Sequence, residues 1–307
     1  MRKRIDAHVH IIPERLLGTK DSFSTYCRNG LTLLGHKFPY QCMPDIIGNS
    51  CFTPSTIVAV MDNAGVESCV VMQGFNNALV PDAIGAMETF PGRFHAACRL
   101  DPARETLPDE IRKWHSKGIT VLKCLLTVMP GFPSIYQEYP LNSPRVFSGW
   151  KVAEELGMTV AIDAGKPENP GYDVNGIREA IENFPKLNFV ICHMGLPRPG
   201  IENEPEAYRN WQAMRQLAKY PNVWFECSAL STFYIEEAYP FVSAQKVVRE
   251  FIDEFGDNKV LWGSDMPGTL NDGTYRQLID TYDRSALLTD GEKDKLFYDN
   301  AKAAYRL

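Results

Sequence analysis

The chain has 307 residues, 44% of them hydrophobic and 23% charged. That is ordinary globular composition, and a chain of this length buries about three quarters of the surface its unfolded form exposes. Its formal net charge is −6 with Lys and Arg scattered along it, which excludes the concentrated basic face that nucleic-acid binding needs.

The start, Met1-Arg2-Lys3-Arg4, is basic, but Asp6, His8 and His10 follow at once. The apolar core of roughly 7–15 residues that a signal peptide requires is missing. No run approaches the roughly 18 apolar residues of a spanning helix. The eight cysteines are dispersed without a CxxC pair, which predicts reduced thiols and a cytoplasmic protein.

Short apolar runs then recur at fairly even spacing. Residues 5–10 (IDAHVH) open the series, followed by 68–73, 94–100, 119–125, 159–163, 188–192, 222–228 and 260–265. Near-continuous apolar runs of this length suit strands buried on both faces. Between them lie stretches with helical spacing, at 55–65, 104–117, 144–156, 175–184, 204–218, 244–255 and 272–282. Gly65, Gly118 and Gly157 each stand just before a strand signal, as a glycine ending a helix does. Eight strands alternating with helices predict a (β/α)8 TIM barrel, an α/β fold in a single domain over 1–307. Long aromatic connections follow strands one, four and seven. They include Tyr26, Phe38, Tyr136, Phe233 and Tyr234, and are expected to wall the barrel mouth, with 11–54 a loop insertion over the active site.

The chemistry concentrates at strand ends. On a strand, residues two apart share a face, so His8 and His10 project together as a pair of metal ligands. Asp6 is expected on that face one layer deeper, where it either orients a ligand or closes the barrel bottom. Asp265 tips strand eight in the run WGSDMP, beside strand one, where a carboxylate can ligate a divalent ion and take a proton from water. His193 closes strand six and Asp163 strand five, each followed soon by a glycine. His193 suits either metal binding or acid/base work. Arg99, Lys123 and Gln73, at or near the ends of strands three, four and two, are expected to contact substrate, the two cations holding a carboxylate.

DAHVH on strand one, ICHMG on strand six and LWGSDMP on strand eight together resemble the amidohydrolase superfamily, in particular the branch containing aminocarboxymuconate-semialdehyde decarboxylase; GITVLK on strand four matches more loosely. The resemblance implies that His8, His10 and Asp265 ligate metal, commonly zinc, and that His193 activates water or polarises substrate. It also implies a homodimer. One position departs from the pattern: the branch carries a histidine ligand at the end of strand five, where this chain has Asp163. A carboxylate there still suits zinc or manganese, so Asp163 is expected as a fourth ligand of one divalent ion. In strand four the histidine usual two positions after the lysine is replaced by Leu125, so Lys123 is expected to stay unmodified. The leading expectation is a metal-dependent hydrolase of a small carboxylated or cyclic molecule, a lactone or amide. Asp265 would serve as base and His193 as oxyanion stabiliser. The alternative is a metal-dependent, non-oxidative decarboxylase of an aromatic or muconate-type acid. A catalytically silent barrel that binds a ligand through its aromatic loops is the reading outside the enzyme class.

Overall fold

Each of the eight apolar runs forms a strand in a computed structural model, which describes residues 2–20, 24–73, 77–127 and 138–307. The expected connection after strand four, with Tyr136, lies outside the described residues except for its last positions. β1 (Ile5–Val9) is followed by a small antiparallel sheet inside the long first connection: β2 (Ser24–Tyr26), β3 (Leu31–Leu34) and β4 (Phe38–Gln41). Then come β5 (Ser68–Met72), β6 (Phe94–Arg99), β7 (Val121–Leu125), β8 (Thr159–Asp163), β9 (Asn188–Ile191), β10 (Val223–Glu226) and β11 (Val260–Leu261). β1 and β5 to β11 make one eight-stranded parallel sheet in sequence order. Its edges meet where Asp265 N donates to His8 O (2.8 Å) and His10 N to Met266 O (2.9 Å). The result is the (β/α)8 barrel.

The helices are α1 (Pro54–Ala64), α2 (Val80–Thr89), α3 (Leu107–His115), α4 (Pro144–Glu155), α5 (Val174–Asn183), α6 (Pro205–Arg215), α7 (Leu230–Phe233), α8 (Val242–Phe255), α9 (Tyr275–Asp283), α10 (Asp290–Asp294) and α11 (Asn300–Tyr305). α1 shows why they form where they do. The Thr53 hydroxyl accepts from Thr56 N, Pro54 takes the first turn, and Gly65 ends the helix at φ 71°. Losing such a cap costs about 1 kcal/mol. Ile57, Met61 and Ala64 recur at helical spacing and bury against the sheet. The sequence spacing predicted no helix at α2, which contains Pro81 and Gly85; the proline sits in the first turn, where its missing N–H costs nothing. The β2–β4 sheet was read only as loop, since its strands of three or four residues are too short to show an alternation.

The core has two layers. Ala7, Val70, Met72, Ala97, Val121, Ala161, Val190 and Leu261 fill the barrel interior, and a larger cluster lies between sheet and helices. α11 closes one end: Thr159 Oγ1 (2.7 Å) and Asn188 Nδ2 (2.9 Å) donate to Ala304 O, and Tyr305 packs into the interior cluster. Function is therefore confined to the other end, where the strands finish.

β1 departs from simple alternation. Asp6 pairs with Cys69 and Val9 with Val71, so three steps on β1 oppose two on β5. This is a bulge, and it changes which residues face inward. Ala7 belongs to the interior cluster and Val9 to the outer one. Asp6 does not share the face of His8. It accepts from Tyr275 OH of α9 (2.9 Å), Ser264 N (2.7 Å) and His8 N (3.2 Å). It pins the bulge from behind, and burial pushes its pKa up to about 7. Gly263 makes room for this: a Cβ there would lie 2.9 Å from His8 Cβ.

Candidate active site

The bulge and the strand-eight turn bring three ligand atoms together. Asp265 stands at φ 62°, and its Oδ1 lies 3.0 Å from His10 Nε2 and 3.5 Å from His8 Nε2. Two ligands bonded to zinc at roughly 2.0–2.1 Å across a tetrahedral angle sit about 3.4 Å apart. The trio therefore fits one divalent ion. His8 is buried, and His10 and Asp265 are partly open. Burial, then the nearby Lys123 charge, hold the His8 pKa well below its ordinary value, leaving a neutral imidazole fit to ligate. Asp265 falls to about 2; burial opposes this, and the surrounding histidines outweigh it. It is a carboxylate at any ordinary pH.

His193 stands beside this trio, its ring centroid 5.0 Å from that of His8. It leaves β9 in a left-handed turn: His193, Met194, Gly195 and Leu196 have φ 56°, 52°, 67° and 58°. Non-glycine residues rarely adopt this conformation, at a cost of roughly 1–2 kcal/mol each. Buried donors compensate. Trp211 Nε1 donates to Met194 O (3.0 Å) and Tyr172 OH to Gly195 O (2.8 Å). The turn aims His193 Nε2 at Asp163 Oδ2, 3.7 Å away. Burial would lower the His193 pKa, but the Asp163 carboxylate outweighs it and the net shift is upward. Asp163 moves the other way, held well below the usual carboxylate range by His193 and Lys123 against burial.

Asp163 therefore lies with His193 and is occupied there. Its Oδ1 accepts from Thr127 Oγ1 (2.8 Å) and Gly165 N (3.2 Å), and among the described residues it joins neither group of converging metal-ligand atoms. Lys123 is buried in the barrel, where Nζ donates to Cys192 Sγ at 3.1 Å. Burial works against its charge, but Cys192, Asp163 and Glu226 raise its pKa. Arg99 ends β6 half-buried, on the same face as interior Ala97. Gln73 is buried and ties the first connection to β5 by donating to Ile11 O (3.4 Å). Of the aromatic walls, Phe233 meets the His193 ring edge-on at 6.0 Å, whereas Phe38 is exposed.

The sequence reading passed over two residues. Glu226 ends β10 and Ser228 stands in the turn that follows it. Glu226 Oε1 accepts from His8 Nδ1 (2.8 Å) and from the Ser228 hydroxyl, and Ser228 Oγ lies 2.8 Å from His193 Nδ1. Both side chains are fully buried, and burial raises the Glu226 pKa. The signal was a carboxylate inside the apolar run NVWFECS, where an unpaired charge would be prohibitive.

The family profile described as Amidohydrolase matches residues 5–307. An L-fucono-1,5-lactonase from Burkholderia ambifaria is 38% identical over 87 residues, covering 27% of this chain and 28% of the relative. The chain thus aligns with less than a third of that relative's length. Among solved structures, a probable 2-pyrone-4,6-dicarboxylic acid hydrolase from Acinetobacter baumannii, with citric acid bound, superposes with TM-score 0.73 at 18% identity over 99% of both chains. An amidohydrolase from Burkholderia multivorans with bound zinc gives TM-score 0.73 at 15% identity, again over 99% of both. Among the described residues no helix is long and apolar enough to cross a membrane.

Proposed function

The chain belongs to the amidohydrolase family, and from that premise we propose that it is a metal-dependent hydrolase that opens a small cyclic or carboxylated ester or amide, a lactone foremost. The observation that carries this reading is the convergence of His8, His10 and Asp265 within reach of His193. The matched lactonase and the zinc-bound neighbour support it. The three residues would hold one divalent ion, zinc first and manganese second. When bound, such an ion supplies Lewis-acid polarisation of a carbonyl and acidification of a water.

The chain's own residues do the rest. Asp265, ionised and partly open, takes the proton of the attacking water. His193, whose pKa the Asp163 carboxylate raises, donates from Nε2 to the developing oxyanion or the departing alkoxide. We assign Asp163 to the support of His193, because its oxygens are already occupied there. In this reading Arg99, half-buried at the end of β6, pairs with a substrate carboxylate, and Lys123 adds positive charge from the buried floor. The connection after β1 walls the site in the same reading; its Cys42 O would lie 3.6 Å from a Cβ on Gly268, three residues after Asp265.

The test is a panel of lactones and aromatic acids offered to zinc-loaded and chelator-stripped protein. Ring opening with uptake of one water, lost on stripping and restored by zinc, is the expected result. Full activity after stripping would remove the ion from the reading. CO₂ release from an aromatic acid would replace hydrolysis by decarboxylation.

A further inference from the structure

We propose that Glu226 and Ser228 are a positioning pair that fixes the ring protons of His8 and His193 together, so that both present Nε2 to the reaction. The proposal rests on the reading of His8 as ligand and His193 as proton donor. It concerns two residues that touch neither ion nor substrate in that reading.

A hydroxyl has a single proton to give. Ser228 gives its proton to Glu226 Oε1, so its oxygen is left to accept, and the neighbour 2.8 Å away is His193 Nδ1. His193 must then carry a proton on Nδ1. The same Oε1 receives His8 Nδ1 at 2.8 Å, so His8 also carries its proton on Nδ1. One carboxylate oxygen thus sets two rings that come from strands one and six. With both Nδ1 atoms committed below, His8 Nε2 is free to face Asp265 and His193 Nε2 to face Asp163.

Nothing in this requires Glu226 to change protonation, because Oε1 accepts in either state. The arrangement depends on spacing. Glu226 ends β10 and Ser228 follows it by two residues, its hydroxyl turned back onto Oε1, while the left-handed turn after β9 lowers His193 onto Ser228. His8, His193 and Glu226 also form a second convergent trio, which makes Glu226 a competing ligand candidate. Oε1 already takes two donors, whereas Oε2 is buried without a hydrogen-bond partner among the described residues, so the zinc content of Glu226→Gln decides between the two roles.

The experiment uses the full chain, stripped of metal by chelation, and reads histidine ring tautomers from long-range 1H–15N correlation spectra. Peaks are assigned through His8→Asn and His193→Asn. Wild type, at a pH above that at which His193 gives up its Nε2 proton, should show Nδ1–H on both rings. Ser228→Ala should remove that signature from His193 alone, and Glu226→Gln should perturb both rings. With zinc restored, Ser228→Ala should lower kcat roughly 10- to 100-fold, the usual cost of losing such a supporting contact. KM and zinc content should hold, and Ser228→Thr, which keeps the hydroxyl, should restore turnover. Unchanged His193 ring spectra in Ser228→Ala would overturn the proposal. Loss of stoichiometric zinc in Glu226→Gln, as in His10→Ala, would also overturn it by making Glu226 a ligand. The spectra need no substrate, so a failed lactone assay would count against the hydrolase reading alone.

Discussion

The two sides of the barrel mouth solve opposite problems with the same residue types. Where strands one and eight meet, His8, His10 and Asp265 point ligand atoms at one another across 3.0 and 3.5 Å. Where strands five and six end, Asp163 and His193 are satisfied by the protein itself, through Thr127, Gly165, Ser228 and each other. A carboxylate with acceptor capacity left beside two imidazole nitrogens is suited to a metal ion. A carboxylate that takes two donors on one oxygen and faces an imidazole with the other orients that imidazole. Residue type alone does not separate the two; the count of remaining partners does.

The largest expected effect breaks the first side. His8→Ala or His10→Ala should strip the divalent ion, taking measured content from about one per chain to near zero in elemental analysis of the folded variant. A folded variant with full metal content would dissolve the ligand trio. On the second side, His193→Asn should lower turnover roughly 10²- to 10⁴-fold, the range for a positioned acid or base, with the ion retained. Loss of ion together with activity would move His193 across the comparison, into the ligand set.

Much of this contrast was legible in the sequence, and the rest was hidden for definite reasons. The eight apolar runs and the glycines before several of them predicted the barrel because parallel strands buried on both faces leave that pattern. His8, His10, Asp265 and His193 were legible as polar residues ending apolar strands. The face of Asp6 was not, because the β1 bulge breaks the period of two on which the reading relied. The partners of Asp163 were hidden too. Thr127 is 36 residues away from it, and the left-handed turn that aims His193 at it has no pattern in CHMGL beyond one glycine. Glu226 was readable as an anomaly in an apolar strand, but its partner His8 lies 218 residues away.

A third prediction sharpens the second side through pH. The His193 pKa is raised, so its contribution to stability is complete below the ordinary histidine value of about 6.5 and is lost as pH rises through the folded value. The Asp163 pKa is lowered, so its contribution is complete above about 3.9 and is lost as pH falls through the folded value. Together they stabilise most between about pH 4 and 6.5. Asp163→Asn should therefore lose most thermal stability, relative to wild type, within that window, and the difference should shrink on either side of it. Zinc content should be unchanged. A difference in melting temperature that is flat with pH would remove the ion pair as its cause, and loss of zinc would restore Asp163 as a ligand.

The smallest effect probes what holds the second side in place. Tyr172→Phe removes the donor to Gly195 O and leaves that buried carbonyl without its 2.8 Å partner. Leaving a buried acceptor unsatisfied costs about 1–3 kcal/mol, which a chemical denaturation curve resolves. The left-handed turn carries its own strain, so the freed carbonyl lets His193 depart from its aim at Asp163. A few-fold fall in kcat with unchanged metal content is expected, far smaller than the loss in His193→Asn because Trp211 still holds the neighbouring carbonyl. Trp211→Phe should behave alike, and the double variant should lose more turnover than the product of the two single losses, since each bond restrains the turn when the other is gone. Strictly multiplicative losses would show instead that the two bonds stabilise the turn independently and that neither acts on the aim of His193.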